Sequence, residues 1–233
     1  MREIIFDTET TGLSNKDDRI IEFGGIELDN KFPTGNFYHV YINPQNKKVH
    51  PDALEVHGIT DEFLKDKSVF KDIIADLLEF IKGAKIIAHN SNFDMGFLNA
   101  ELARLDMPPI GNEHVIDSLA IARRKHPMGP NSLDALCRRY GIDNTKRTKH
   151  GALLDAELLA EVYIELSGGK QTALSLVNTG TADNRDKSDE QIDIKVQTRS
   201  EPLLSRLTET ENAAHKALIE KLGDTSIWTK YSS

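Results

Sequence analysis

The stretch IIFDTETTG (residues 4–12) starts as an apolar run and ends in acids. Ile4, Ile5 and Phe6 read as a short central strand, since an unbroken apolar run suits an element buried on both faces. Asp7 and Glu9 then break the pattern. Residues two apart in a strand share a face, so these two carboxylates aim together if the strand runs that far. They stand at the strand's C-terminal end, where α/β sheets place their sites. Thr10, Thr11 and Gly12 are small and let a ligand approach the backbone. The pair alone also fits a solvated strand end with capping acids, so its meaning depends on whether more acids arrive at matching positions.

Working outward, Arg19–Leu28 and Phe37–Ile42 are β-rich, with Pro33 and Gly35 as turn signals between them. The first three strands therefore read as an antiparallel meander. Ser68 is placed to cap an amphipathic helix in which Val69, Ile73, Ile74, Leu77, Leu78 and Ile81 recur at helical spacing, and Gly83 ends it. KIIAHN (85–90) is a second buried strand, and 93–105 is helical. Residues 115–124 pass from strand to helix. Residues 131–141 form a capped helix ending at Gly141, and 151–166 form a strong helix. Three strands followed by alternating helices and strands imply an α/β mixed sheet flanked by helices.

Beyond Leu166 the character changes. Ser167-Gly168-Gly169 breaks the helix, and roughly 178–200 is Thr, Asp, Asn, Ser and Lys with little apolar content, the composition of a linker. An amphipathic pattern returns near 203–222 through Leu204, Leu207, Ala214, Leu218 and Leu222, with Trp228 and Tyr231 after it. A lone helix has no partner in its own segment to bury against, so it is expected to dock elsewhere.

Composition narrows the function classes. In 233 residues the formal net charge is −8, and the isoelectric point is about 5.5. Such a chain does not coat nucleic acid by bulk electrostatics; a metal or a partner must supply part of any attraction. The single cysteine, Cys137, permits no internal disulfide and lies in an apolar helical pattern, as a buried structural thiol would. No apolar run approaches membrane-spanning length and no signal peptide is evident, so a cytoplasmic protein is expected.

Two more acids match the first pair. Asp94 follows the strand 85–90 at a strand-to-helix junction, where Asn92 or Asp94 also suits a helix cap. Asp155 lies among Leu154, Leu158, Leu159 and Val162 on the apolar side of the 151–166 helix. An unpaired carboxylate there would be costly or protonated, and a divalent cation resolves the conflict. His150 precedes Asp155 by five residues, about 140° apart on a continuous helix. It therefore has to sit at or before the first turn to share a site. Lys146, Arg147, Thr148 and Lys149 just before it form a basic patch suited to a phosphate. Four hard oxygen ligands with one histidine suit Mg²⁺ or Mn²⁺ and two-metal phosphoryl chemistry. Histidine ordinarily titrates near neutrality and serves as the base.

DTETTG (7–12), HNSNFD (89–94) and HGALLD (150–155) together resemble the three motifs of the DEDDh 3′→5′ exonucleases. The resemblance implies a ribonuclease-H-like fold: a mixed five-stranded sheet, three antiparallel strands and then parallel strands, flanked by helices, with an extended C-terminal tail. It implies Asp7, Glu9, Asp94 and Asp155 as ligands of two divalent cations, Mg²⁺ or Mn²⁺, and His150 as general base. Over roughly 1–170 the likeness is closer still to the proofreading (epsilon) subunits of bacterial DNA polymerase III, through VHPDALEVHGITDEFL (49–64). There it implies that His57 contacts the terminal nucleotide, with Asp52 nearby, and that Asp7, Glu9 and Asp155 also meet the substrate. On its residues alone, His57 reads equally as a satisfied loop histidine. Leu13, Val56 and Phe93 flank the motifs and suit stacking on or wedging terminal bases, although core packing accounts for Phe93 as well.

QTALSL (171–176) resembles the clamp-binding peptide of bacterial replication proteins, through Gln171, Leu174 and Leu176. The resemblance thus divides the chain into an exonuclease domain (1–170), a clamp-binding peptide and linker (171–202) and a polymerase-binding segment (203–233). Implied partners are a single-stranded or frayed DNA 3′ end, the polymerase III catalytic subunit, the sliding clamp and a small accessory core subunit. The alternatives are a free-standing DEDDh exonuclease acting on DNA or RNA, and an inactive module bridging clamp and polymerase. The tail argues against the first, and the intact set of acids and histidine argues against the second.

Overall fold

The computed structural model describes residues 1–168 and 208–222. The chain divides into two units, Met1–Leu176 and Val177–Ser233. In the first, β1 (Arg2–Thr10), β2 (Ile20–Asp29), β3 (Phe32–Tyr41), β4 (Lys85–Ala88) and β5 (Val115–Asp117) form one sheet in the order β3-β2-β1-β4-β5. β1–β2 and β2–β3 pair antiparallel, and β1–β4 and β4–β5 pair parallel. This is the mixed five-stranded arrangement expected. Helices α1 (Pro51–His57), α2 (Asp61–Leu64), α3 (Phe70–Ile81), α4 (Ser91–Arg104), α5 (Ser118–Lys125), α6 (Leu133–Tyr140) and α7 (Ala152–Leu166) complete the unit. In the second unit only α8 (Glu209–Leu222) is described, and none of its residues is buried.

The alternation of β1 fixes which helix meets which acid. Ile4 and Phe6 point into a core with Ile73 and Leu77 of α3 and Phe97 and Leu98 of α4. Ile5 points to the other side, with Leu136 of α6 and Leu158, Leu159 and Val162 of α7. Asp7 and Glu9 continue the face of Ile5, toward α7, while Thr8 continues the face of Phe6, toward α4. Gly24 on β2 lets α7 come close: a Cβ there would lie 2.3 Å from the Leu153 backbone nitrogen. This approach carries Asp155, in the first turn of α7, up to β1.

Several turns differ from expectation. Pro33 and Gly35 do not separate β2 from β3 but lie within β3. An edge strand tolerates proline because one side of its backbone needs no ladder donor. The reversal is made by Asn30 (φ 49°) and Lys31 (φ 68°), the doubly left-handed pair that a tight hairpin needs. Ser68 is not the cap of α3; Val69 holds that position without a side-chain bond. Instead Asn43 N–H donates to the Ser68 carbonyl at 2.9 Å, tying the end of the meander to the helix start. α6 is capped as expected, with Ser132 accepting from Ala135 N–H and Gly141 left-handed at φ 69°. Cys137 is fully buried and free, and burial pushes its thiol up to about 11. Among the described residues no helix is long and apolar enough to cross a membrane. Gln171, Leu174, Leu176, Leu204, Leu207, Trp228 and Tyr231 lie outside the described residues.

Candidate active site

Each motif reaches the same end of the sheet by a different local device. β1 delivers Asp7 and Glu9, and its pairing with β2 shifts register between Glu9 and Thr10. After β4, Asn90, left-handed at φ 71°, turns the chain abruptly into α4. Asp94 thereby faces β1 and accepts from Thr8 twice, from the hydroxyl at 2.7 Å and from the backbone N–H at 3.2 Å. Asp94 is therefore not a cap of α4, and neither is Asn92. Asp155 comes from α7, and His150 from the loop just before it, held by a bond from its backbone N–H to the Val56 carbonyl at 3.2 Å.

All five meet in one cleft of about 310 Å³ lined by Asp7, Glu9, Asp94, His150 and Asp155 together with Thr8, Asp134 and Arg147. Ligand atoms of Glu9, His150 and Asp155 lie within 4.8 Å of one another. Glu9, Asp94 and Asp155 are buried, whereas His150 stays about half exposed at the rim. Burial together with the neighbouring carboxylates Asp94, Glu9 and Asp155 holds the Asp7 carboxyl well above its ordinary range. For Glu9, burial and then Asp155 and Glu22 push it up to about 8. Burial raises Asp94 to about 7, against the opposing pull of the Thr8 bonds.

Asp155 differs. Burial pushes it up, but hydrogen bonds and charge from Arg147 and then His150 outweigh burial and hold it below the usual carboxylate range. Arg147 donates from Nε to Asp155 Oδ1 at 2.5 Å and from Nη2 to Oδ2 at 2.7 Å, a two-pronged grip. Its Nη1 donates to Asp134 Oδ2 at 2.9 Å. The basic patch is thus split: Lys146, Thr148 and Lys149 are exposed, while Arg147 turns into the acids. Neither Arg147 nor Thr8 was marked by the motifs as part of the acid site. The one available signal was a charged residue beside the base in a loop that must fold back over four carboxylates.

The set fits divalent cations. Oxygen-rich donors with a single histidine suit hard ions. Three carboxyls are forced upward by burial and mutual repulsion, a strain that nearby positive charge would relieve.

A second cleft of about 690 Å³ adjoins the first through shared Thr8, Glu9 and Phe93. Its walls bring together Leu13, Asp52, Val56, His57 and Phe93. Leu13 is 87% and Val56 46% exposed, so both offer apolar surface to the cleft. Phe93 does both things considered for it: it packs on Phe97 with ring centroids 4.9 Å apart and also lines the cleft. His57 closes α1; its Nδ1 accepts from Ile59 N–H at 3.0 Å, while its buried Nε2 makes no hydrogen bond. Burial lowers its pKa. It is therefore only half satisfied. The small residues after Glu9 answer first to the protein itself. Thr10 donates to the Gly12 carbonyl at 2.6 Å, Thr11 donates to Asp18 at 3.1 Å, and a Cβ on Gly12 would lie 2.5 Å from Asp18 Oδ2.

Comparison with known proteins agrees with this geometry. The Exonuclease family model matches residues 4–163. DNA polymerase III subunit epsilon of Salmonella typhimurium is 44% identical over 97% of this chain and 97% of its own. The subunit of the same name from Escherichia coli is 42% identical over the same shares. Among solved structures, the nuclease domain of 3'hExo, a DEDDh family member, superposes with a TM-score of 0.62 at 19% identity, covering 71% of this chain and 91% of that one. Exonuclease X in complex with 5′ overhanging duplex DNA gives a TM-score of 0.54 at 25% identity, covering 71% of this chain and 89% of that one. With one acidic cleft built from three motifs, a family match across nearly the whole first unit and relatives matching end to end, the chain belongs to the exonuclease family and, within it, to the DNA polymerase III epsilon subunits.

Proposed function

We propose that this chain is the proofreading 3′→5′ exonuclease subunit of a DNA polymerase III, hydrolysing mispaired deoxynucleotides from a DNA 3′ end. The observation that carries the proposal is the convergence of Asp7, Glu9, Asp94, Asp155 and His150 in one cleft, beside a larger cleft with apolar walls. Asp7, Glu9, Asp94 and Asp155 would hold two divalent cations, Mg²⁺ or Mn²⁺. When bound, such ions make a water nucleophilic near neutral pH and stabilise charge on the phosphate. His150, at the solvent edge, takes the water's proton on a ring nitrogen. Leu13, Val56 and Phe93 receive the terminal bases by stacking or wedging. His57 Nε2, buried and with no hydrogen bond within 3.5 Å among the described residues, would bond the terminal nucleotide, and Asp52 lines the same wall.

Selection of errors follows from the cleft and from the charge of −8. An acidic chain does not hold duplex DNA by itself, so it accepts an end that is already frayed, and mismatched ends fray at lower cost. The polymerase III catalytic subunit would hold the duplex, bound through the 203–233 segment. The clamp would be met through Gln171, Leu174 and Leu176 in the 171–202 linker, with 1–170 as the nuclease domain. A small accessory core subunit completes the partners, and the site of action is the cytoplasm. The end-to-end match to relatives named as epsilon subunits supports this assembly over a free-standing nuclease.

The test is digestion of 3′-labelled and 5′-labelled single-stranded DNA and RNA with Mg²⁺, Mn²⁺ or chelator. The expected result is immediate release of the 3′ label as mononucleotide from DNA, and none with chelator. Release of the 5′ label first, or cleavage that survives chelation, would overturn the proposal.

A further inference from the structure

Arg147 stands out because its partners are the site's own groups. Its side chain is only 7% exposed. Both oxygens of Asp155 are occupied by its fork, at 2.5 and 2.7 Å. The same Nη2 lies 2.9 Å from His150 Nδ1. Arginine only donates and is always charged, so in this contact His150 Nδ1 accepts; the same nitrogen lies 3.4 Å from Asp155 Oδ2, so the guanidinium ties histidine and carboxylate together. Among the described residues Arg147 is the one arginine or lysine lining the acidic cleft. The carboxylate it grips belongs to the Glu9–His150–Asp155 trio whose ligand atoms converge within 4.8 Å.

We infer that Arg147 is an internal counter-cation that seats Asp155 and His150 until a divalent ion takes its place, so that guanidinium and ion compete for one carboxylate. The inference rests on the metal-dependent reading of the site. A guanidinium and a divalent ion both need the Asp155 oxygens, and two cations on one carboxylate repel. Release does not strand the arginine. Asp134, about half exposed, already accepts from Nη1 at 2.9 Å. Asp134 is itself fixed by Asn144 Nδ2 at 3.0 Å, so it can hold the side chain at the rim. Arg147 is thus a positioning residue: it keeps the loop and the base in place before the ions arrive and leaves when they do.

The full chain tests this with Mn²⁺ as calorimetric probe. Arg147→Gln removes the competing charge, so its thermal midpoint without metal should fall while its Mn²⁺ dissociation constant tightens, on the order of tenfold. Arg147→Lys keeps a cation without the fork and should bind Mn²⁺ close to wild type. A purely structural arginine predicts the reverse, weaker Mn²⁺ binding in the glutamine variant; that result, or unchanged binding, overturns the inference. If the glutamine variant does not fold, the wild-type chain decides. The Arg147 Nε–H resonance should move when Mg²⁺ is added, and a resonance that stays in place overturns the inference. A wild-type chain that binds no Mn²⁺ would overturn the metal reading and this inference together, whereas a binding wild type with an unresponsive Arg147 overturns this inference alone.

Discussion

Glu101 and Asp94 lie two turns apart on α4, at 1% and 3% exposure, and meet opposite surroundings. Glu101 has Arg19 on both oxygens, at 2.7 and 2.8 Å, and Arg104 at 3.2 Å. Among the described residues Asp94 is met by neutral donors, the Thr8 hydroxyl and backbone N–H and its own backbone N–H, and its neighbours Asp7 and Glu9 have no guanidinium fork. Burial of an acid is therefore not in itself the mark of the site, since Glu101 is buried as deeply and is neutralised internally. What marks the site is a group of acids left short of permanent counter-charge, at the strand ends, beside an open cleft. Asp155 stands between the two cases, with a guanidinium that sits in a loop.

That contrast predicts that the site residues and Glu101 fail in different ways. Asp7→Ala should lower metal-dependent hydrolysis of single-stranded DNA by about a thousandfold or more, with the fold intact by circular dichroism. Retained activity would remove Asp7 from the site. His150→Ala should lower kcat by about a hundredfold or more while leaving DNA affinity near wild type; steady-state kinetics beside a binding titration separate the two. Glu101→Gln should do the reverse. It leaves Arg19 facing a neutral amide in a buried position and should cost about 3 kcal/mol in denaturant unfolding, with kcat preserved in the folded fraction. A fall in kcat without lost stability would erase the distinction between the regions.

A pH dependence also separates the regions, by its sign. Without metal, burial and neighbouring carboxylates push Glu9 up to about 8 from an ordinary 4.5, and burial pushes Asp94 up to about 7 from 3.8. An acid raised in the folded state contributes stability below its ordinary value and loses it as pH climbs through the folded value. The metal-free thermal midpoint should therefore fall between about pH 5 and pH 8, and Mg²⁺ should restore it. A midpoint that rises over that window would contradict the charge-short picture.

Much of this was legible in the sequence because it depends on short-range rules. Alternation in β1 puts Asp7 and Glu9 on one face, and an apolar helix face around Asp155 betrays a buried acid. The five-residue spacing from His150 to Asp155 places the histidine ahead of α7, where the loop holds it. What the sequence hid depends on tertiary direction. Arg147 and Lys146 are adjacent cations in a polar loop, and only the fold shows that one turns inward to Asp155 while the other stays in solvent. Thr8 reads as a β-former, and its bond to Asp94 spans 86 residues. Pro33 and Gly35 carry turn chemistry, but an edge strand absorbs them and the hairpin falls on Asn30 and Lys31.

The most direct test of the central claim is thermal unfolding of Asp7→Asn without metal at pH 8, beside wild type. Removing one of several mutually repelling carboxylates in the cleft should leave the midpoint equal to or above wild type, although the variant no longer cleaves DNA. A midpoint clearly below wild type would show that Asp7 is a structural acid satisfied within the fold, and would contradict the account.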